Sequence, residues 1–140
     1  MERKYQILTA VQIMAVLAVG WRLVTWHAPW NLQRYIGTAL VLIGISFITV
    51  ARFQLGRSFS IKPEARKLVT TGLYSKIRNP IYVFGIVTIV GLTLVFQKPD
   101  LWIVVVVLAV MQAIRANREA HVLEAAFGDE YREYRRKTWF

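Results

Sequence analysis

Cysteine is absent from this 140-residue chain. That excludes disulfides, thiolate nucleophiles and Cys-ligated metals. Histidine is almost absent: His27 and His121 lie far apart in sequence and make no metal-ligand spacing. Acidic residues are scarce, eight against eighteen Lys and Arg. No Gly-x-Gly-x-x-Gly follows a strand pattern and no phosphate-binding Gly-rich loop ending in Lys-Ser/Thr occurs, so neither a Rossmann nor a P-loop site is signalled. No serine sits in a nucleophile elbow. Any chemistry here must come from positioning a reactive cofactor against a lipophilic substrate, without a protein nucleophile.

What is abundant is apolar. Hydrophobic residues make up 56% of the chain and the mean hydropathy is +0.41, well above an ordinary soluble domain. They come in long blocks, and the length fits one domain. The spacing predicts an all-α integral membrane protein with about four spans, at residues 5–24, 33–53, 80–96 and 101–117, and a cytoplasmic tail at 118–140. A span needs about 20 residues to cross a ~30 Å hydrocarbon core. The first block follows Arg3 and Lys4, as in a signal peptide, but its length and the lack of a small-x-small site favour a retained helix. Trp21, Trp26 and Trp30 would form an aromatic belt, with a turn at Pro29 and Asn31. Gly37, Gly44 and Ala51 recur every seven residues, a small-residue face suited to close helix packing. The last two spans read as a hairpin turning at Gln97–Asp100, and the fourth should continue as helix beyond the membrane. In the tail, Leu123, Ala126 and Phe127 share a helix face. Gly128 reads as a helix stop and Asp129 as the N-cap of a new helix. Trp139 and Phe140 fit an interfacial anchor.

Charge orients these spans. With four spans, one side carries only Arg22, Arg34 and Lys98 of the eighteen cations. The positive-inside rule then places both termini and the connection at 51–79 in the cytoplasm. That connection is too long for an idle linker and reads as holding a short interfacial helix near 63–68. The excess positive charge suits anionic lipid headgroups. Nucleic acid is disfavoured, because the cations flank membrane spans and lack an exposed aromatic platform. The expected address is the inner membrane of a bacterium or archaeon.

Two polar constellations would share the cytoplasmic face. In Gly72–Tyr82, Pro80 suits the first turn of a helix and Asn79 its N-cap. With Lys76 and Arg78 beside that positive dipole end, the start of the third span reads as an anion site. Its bland counterpart is the basic flank of a membrane helix. Arg115 and Glu119, four apart, share a face at the cytoplasmic end of span four. Exposed, such a pair is a weak surface ion pair; at a membrane boundary its charges are functional candidates.

Three segments in order carry a resemblance: Leu68-Val69-Thr70-Thr71-Gly72-Leu73-Tyr74, then Arg78-Asn79-Pro80-Ile81-Tyr82, then Arg115-x3-Glu119-x3-Leu123-x3-Phe127-Gly128-Asp129-Glu130-Tyr131-x2-Tyr134. Over roughly residues 50–137 the chain resembles the isoprenylcysteine carboxyl methyltransferase and phospholipid methyltransferase superfamily. The resemblance implies an integral membrane enzyme using S-adenosyl-L-methionine; no metal is expected, because the residues offer no ligand spacing. Carried over by position, it implies a cofactor site lined by Arg66, Lys67, Leu68, Val69, Tyr74, Asn79, Pro80, Ile81 and Tyr82. It assigns Arg115 and Glu119 to substrate and methyl transfer. The family often has His where this chain has Asn79, which cannot titrate, and a second Glu where this chain has Ala120. The implied partner is a lipid or lipophilic small molecule, with the acceptor atom and oligomeric state left open. The competing expectation is a non-enzymatic lipid-binding or assembly module in which the basic loop holds anionic headgroups.

Overall fold

A computed structural model describes residues 2–56 and 68–140. The expected interfacial helix near 63–68 lies largely outside the described residues, as do Arg66 and Lys67. Among the described residues all regular structure is helical: α1 (Glu2–Thr25), α2 (Leu32–Leu55), a 3-10 turn (Gly72–Ser75), α3 (Pro80–Phe96), α4 (Leu101–Phe127) and α5 (Asp129–Lys137).

Two helices, α2 and α4, are long and apolar enough to cross a membrane; Ile13–Thr25 within α1 and α3 are shorter apolar helices. At ~1.5 Å per residue the 17-residue α3 is about 26 Å long. It packs along α2 on one side and against α4 on another. Among the described residues, no extensive helix pairing involves α1. Its Val11, Met14, Leu17, Trp21 and Val24 are exposed, as are Leu42, Phe47 and Phe53 of α2 and Ile103, Val107 and Met111 of α4. An apolar exterior on this scale is what a hydrocarbon surrounding would cover.

The small-residue stripe explains the main interface. Gly37, Gly44 and Ala51 are all buried on α2, and Val41 joins them. Gly37 faces Gly91 of α3, so closely that a Cβ on either would lie 2.7 Å from the other's carbonyl oxygen. A Cβ at Gly44 would run into the Thr88 hydroxyl and lie 3.0 Å from the Phe84 carbonyl. Lower on the same seam Phe47 and Phe84 stack with centroids 4.5 Å apart. Small residues thus bring two backbones together where an apolar solvent gives little drive for association.

The far end of the bundle is tied by its cations. Asn31 caps α2, its side chain accepting from the Arg34 N–H at 3.0 Å. The Arg34 side chain is buried and turns back over the end of α1. Its guanidinium donates to the carbonyls of Leu23 (2.8 Å), Trp26 (2.9 Å) and Ala28. These are carbonyls at and beyond a helix C-terminus that would otherwise lack donors. Arg34 also lies over the Trp30 ring, while Arg22 and Lys98 flank Trp26, whose ring meets Phe96 edge-on at 5.0 Å. Trp26 and Trp30 of the expected belt therefore make intramolecular contacts, and Trp21 is exposed. Gln97, in the left-handed conformation after α3, bonds Asn31 and the Pro29 carbonyl and joins the two turns.

We expect Arg34→Met to lower the thermal midpoint in mild detergent by several degrees, because three acceptors lose a charged donor at once. A midpoint within a degree of wild type would show that this cap is dispensable.

At the other end α4 continues as one helix to Phe127, and Gly128 (φ +53°) breaks it. Leu123 and Phe127 are half-buried, whereas Ala126, expected on the same face, is exposed. Asp129 is not the N-cap expected from the sequence. Gly128 occupies that position, and Asp129 opens α5 with its carboxylate 3.0 Å from Arg132. The pairing with Arg132 takes the carboxylate that a cap would have used. Arg132 also bonds Glu124 at 2.8 Å, stitching the α4–α5 corner.

Candidate functional site

The site is built from the bottom of α3. Proline at position 80 bars Asn79 from helical geometry. Asn79 takes φ −125°, ψ 59° at the N-cap position, its side chain making no capping bond, and Pro80 is the buried first residue of α3. The segment before it, Lys76–Asn79, is paired by the tail. Trp139 N–H donates to the Lys76 carbonyl at 3.0 Å. Arg78 N–H donates to the Trp139 carbonyl at 3.1 Å, and Asn79 N–H to the Phe140 carbonyl at 2.9 Å. The bridge is parallel, Ile77 against Trp139. The backbone N–H groups of Arg78 and Asn79, just before the helix start, are thus engaged by tail carbonyls, while those of Tyr82 and Val83 bond the Asn79 carbonyl. Beside them stands the Arg78 side chain, whose Nε is shielded and has no hydrogen-bond partner.

The 3-10 turn is locked from two sides. Gly72 adopts φ +61°, where a side chain would be strained and would collide with Gln54. The Gln54 Oε1 accepts from the Leu73 N–H at 2.8 Å, tying the end of α2 to the turn. This fixes Tyr74, which is buried, while Leu68 and Val69 are half-buried in irregular chain. The Tyr134 hydroxyl of α5 donates to the Tyr74 carbonyl at 2.7 Å. Burial holds the Tyr74 hydroxyl well above the ordinary tyrosine range, helped by the neighbouring Tyr134 and the Glu119 carboxylate. It therefore remains a protonated donor at any physiological pH.

The Tyr134 hydroxyl is pushed up to about 12, chiefly by burial and then by Tyr131, with Arg78 acting the other way. A raised folded-state value favours the protonated form, so its contribution to stability is complete below pH 10 and is lost as pH rises through about 12. We expect Tyr134→Phe to cost ~1 kcal/mol at neutral pH through the lost bond to Tyr74. It should also blunt the alkaline fall in stability. Denaturation curves at pH 7, 10 and 12 check this, and equal alkaline slopes would refute it.

One turn into α3, the Tyr82 hydroxyl donates to Glu119 Oε1 at 2.5 Å. Arg115 Nε donates to the same oxygen at 3.3 Å, and its guanidinium lies 5.7 Å from the Tyr82 ring centroid. The side chains of Arg115 and Glu119 are 40% and 23% exposed, so this is no fully solvated pair. The third partner, from a different helix, separates it from a routine i,i+4 ion pair. The result is a half-buried carboxylate held by a hydroxyl and a guanidinium at the interface of two apolar helices. Such a group can face a cation or orient a polar headgroup.

The structure thus brings Tyr74, Tyr82, Arg115 and Glu119 into one cluster at the end of the bundle that holds Arg78, Asn79 and Pro80. Ile81 is half-buried in the first turn of α3. Two participants were not foreseen as such. Tyr134 stood in the motif without a role. Gln112 of α4 has a shielded, unpartnered Oε1; its signal was a lone amide inside an apolar run. Among the described residues no three His, Asp or Glu side chains gather as metal ligands.

No solved structure matches the chain significantly. A curated relative, the nickel-cobalt-cadmium resistance protein NccN of Alcaligenes xylosoxydans xylosoxydans, is 33% identical over 120 residues. The alignment covers 83% of this chain and 55% of that protein, so the chain spans about half the length of the relative. The sequence model of the phospholipid methyltransferase family matches residues 32–130. That range runs from the start of α2 through α4 into the first turn of α5 and takes in the whole Tyr82–Arg115–Glu119 cluster. With most of its length and all three of those side chains inside the match, the chain belongs to the phospholipid methyltransferase family.

Proposed function

We propose that this protein is a multi-pass membrane methyltransferase that uses S-adenosyl-L-methionine to methylate a lipophilic acceptor at the cytoplasmic membrane face. The observation that carries the reading is the contact across α3 and α4, in which Tyr82 and Arg115 hold Glu119 beside the Arg78-Asn79-Pro80 helix start. Family membership supports the reaction class. The apolar exterior of α1, α2 and α4 supports the membrane setting. In this reading residues 1–140 form one domain with four spans and both termini in the cytoplasm.

The residues present fit the cofactor's chemistry. Arg78 carries a shielded donor without a partner, which suits a carboxylate. Tyr74 and Tyr82 offer aromatic surface for a purine, and Glu119 a negative charge for a cation. Leu68, Val69, Pro80 and Ile81 would supply apolar walls; Asn79, and Arg66 and Lys67 from the connection, polar edges. When bound, S-adenosyl-L-methionine supplies an electrophilic methyl group on a sulfonium. Methyl transfer is an in-line displacement, so catalysis lies mainly in alignment. Glu119 is fixed in direction by two donors and so presents its charge without reorganisation. Arg115 orients the polar end of the acceptor, and the lipid tail enters sideways between the apolar helices.

The direct check is calorimetry on the purified protein in detergent. S-adenosylhomocysteine is expected to bind, and Arg78→Ala to weaken it about tenfold or more through loss of a charge-assisted bond. Absence of binding by the wild-type protein would reject the reading. A non-enzymatic lipid-binding module would instead show graded loss of anionic-lipid binding as any loop cation is neutralised.

A further inference from the structure

Gln112 sits in α4 after the run Val104–Met111 and before Ala113-Ile114, with no other polar side chain within that stretch. It lies three residues before Arg115 and seven before Glu119, on the same helix face and deeper in the apolar part of the bundle. Its Oε1 is shielded and has no hydrogen-bond partner. Buried amide oxygens are almost always paired, and within a membrane helix an unpaired one is costly and marks function. The residue opposite is Gly85 of α3, one turn in from Tyr82. A Cβ there would lie 3.4 Å from Gln112 Nε2 and 3.7 Å from Oε1. The absence of that side chain leaves a methyl-sized space beside the amide on the side of α3.

We infer that Gln112 is a recognition residue: its Oε1 accepts a hydrogen bond from an O–H or N–H group of an amphiphile lodged between α3 and α4. The inference rests on the methyltransferase reading for its biological meaning, though not for its geometry. An acceptor oxygen selects against molecules that lack a donor. Methylation of a hydroxyl removes its donor, and methylation of an amine does so only when the last N–H is replaced, so the same contact favours the unmethylated alcohol over its methyl ether. Specificity of this kind comes from leaving a buried polar group unpaired when the wrong molecule binds.

The probes are 1-dodecanol and dodecyl methyl ether, closely matched chains of which only the first can donate. Apparent affinities come from thermal-shift titrations of the full chain in detergent. Wild-type protein is expected to bind the alcohol about tenfold more tightly than the ether, the discrimination of one hydrogen bond. Gln112→Met, apolar and of similar length, should bind both equally and should be as stable as wild type or more so without ligand. Equal affinities in the wild type, or discrimination that persists in Gln112→Met, would overturn the inference. So would a large fall in that variant's unliganded midpoint, which would make the amide a structural group. S-adenosylhomocysteine binding, measured on the same preparation, keeps the two ideas apart. Discrimination without cofactor binding retires the methyltransferase reading and leaves the Gln112 site; cofactor binding without discrimination does the reverse.

Discussion

Gly91→Val is expected to separate α2 from α3 and to leave little folded protein. At Gly91 even a single Cβ would lie 2.7 Å from the Gly37 carbonyl oxygen, 2.8 Å from the Val41 backbone nitrogen and 2.9 Å from Val41 Cγ2. Two of these three atoms are backbone, so no rotamer change relieves the clash and one helix must move. Overpacking where side chains can yield costs ~1–3 kcal/mol, and a backbone clash at the main interface should exceed that range. Since small-domain stability totals ~5–15 kcal/mol, a loss of this size shifts the population visibly. Gly91→Ala should show the same effect in weaker form. Gly20→Ala is the control, because nothing lies within 4 Å of its Cβ position and alanine gains ~1 kcal/mol of helix propensity. Folded fraction in detergent, titrated with denaturant, ranks the three. Equal stability of Gly91→Ala and Gly20→Ala would show that the α2–α3 seam is looser than described.

That seam was legible because the seven-residue recurrence of Gly37, Gly44 and Ala51 is a one-dimensional pattern with one geometric meaning: a face where backbones meet. The start of α3 was legible for a similar reason, since Asn79-Pro80 restricts the chain locally. The partner of the seam was harder. Gly91 is one of two glycines in an apolar helix, and only the fold shows that it faces Gly37. Arg34 counted in the sequence merely as one of three cations on the far side. Its role as the cap of α1 depends on a side chain turning back across a chain reversal, which residue spacing does not encode. The tail pairing was hidden for another reason. Its bonds run between backbone groups of Lys76–Asn79 and Trp139–Phe140, and backbone groups leave no mark in residue identity. Asp129 shows how local rules compete: cap chemistry and ion pairing both suit an aspartate after glycine, and Arg132 three residues on decided for the pair. Arg115 and Glu119 were recognisable as a pair, but not the Tyr82 hydroxyl that turns the pair into a cluster between helices.

On the proposed methyltransferase reading, Glu119→Ala in that cluster should reduce methyl transfer by about 10²–10³-fold, the scale of removing one preorganised electrostatic group. Arg115→Ala should fall in the same range, because it removes the cation expected to orient the acceptor and leaves a half-buried carboxylate with one fewer donor. Tyr82→Phe is the discriminating variant. It keeps the ring and the charge on Glu119 and removes only the 2.5 Å bond that aims the carboxylate. If direction matters as much as charge, Tyr82→Phe should lose about tenfold in kcat with little change in KM for the methyl donor. Glu119→Gln tests the complementary half, retaining a group that can accept from Tyr82 while deleting the charge. A methyl-donor assay against a lipid extract, with mass spectrometry of the product, reads all four variants and identifies the acceptor. Near-normal rates in both Arg115→Ala and Glu119→Ala would reject their assigned role. A full rate in Glu119→Gln with a poor one in Tyr82→Phe would mean that the side chain at 119 acts by position and hydrogen bonding. The reverse pattern would leave the negative charge as the group that meets the developing reaction.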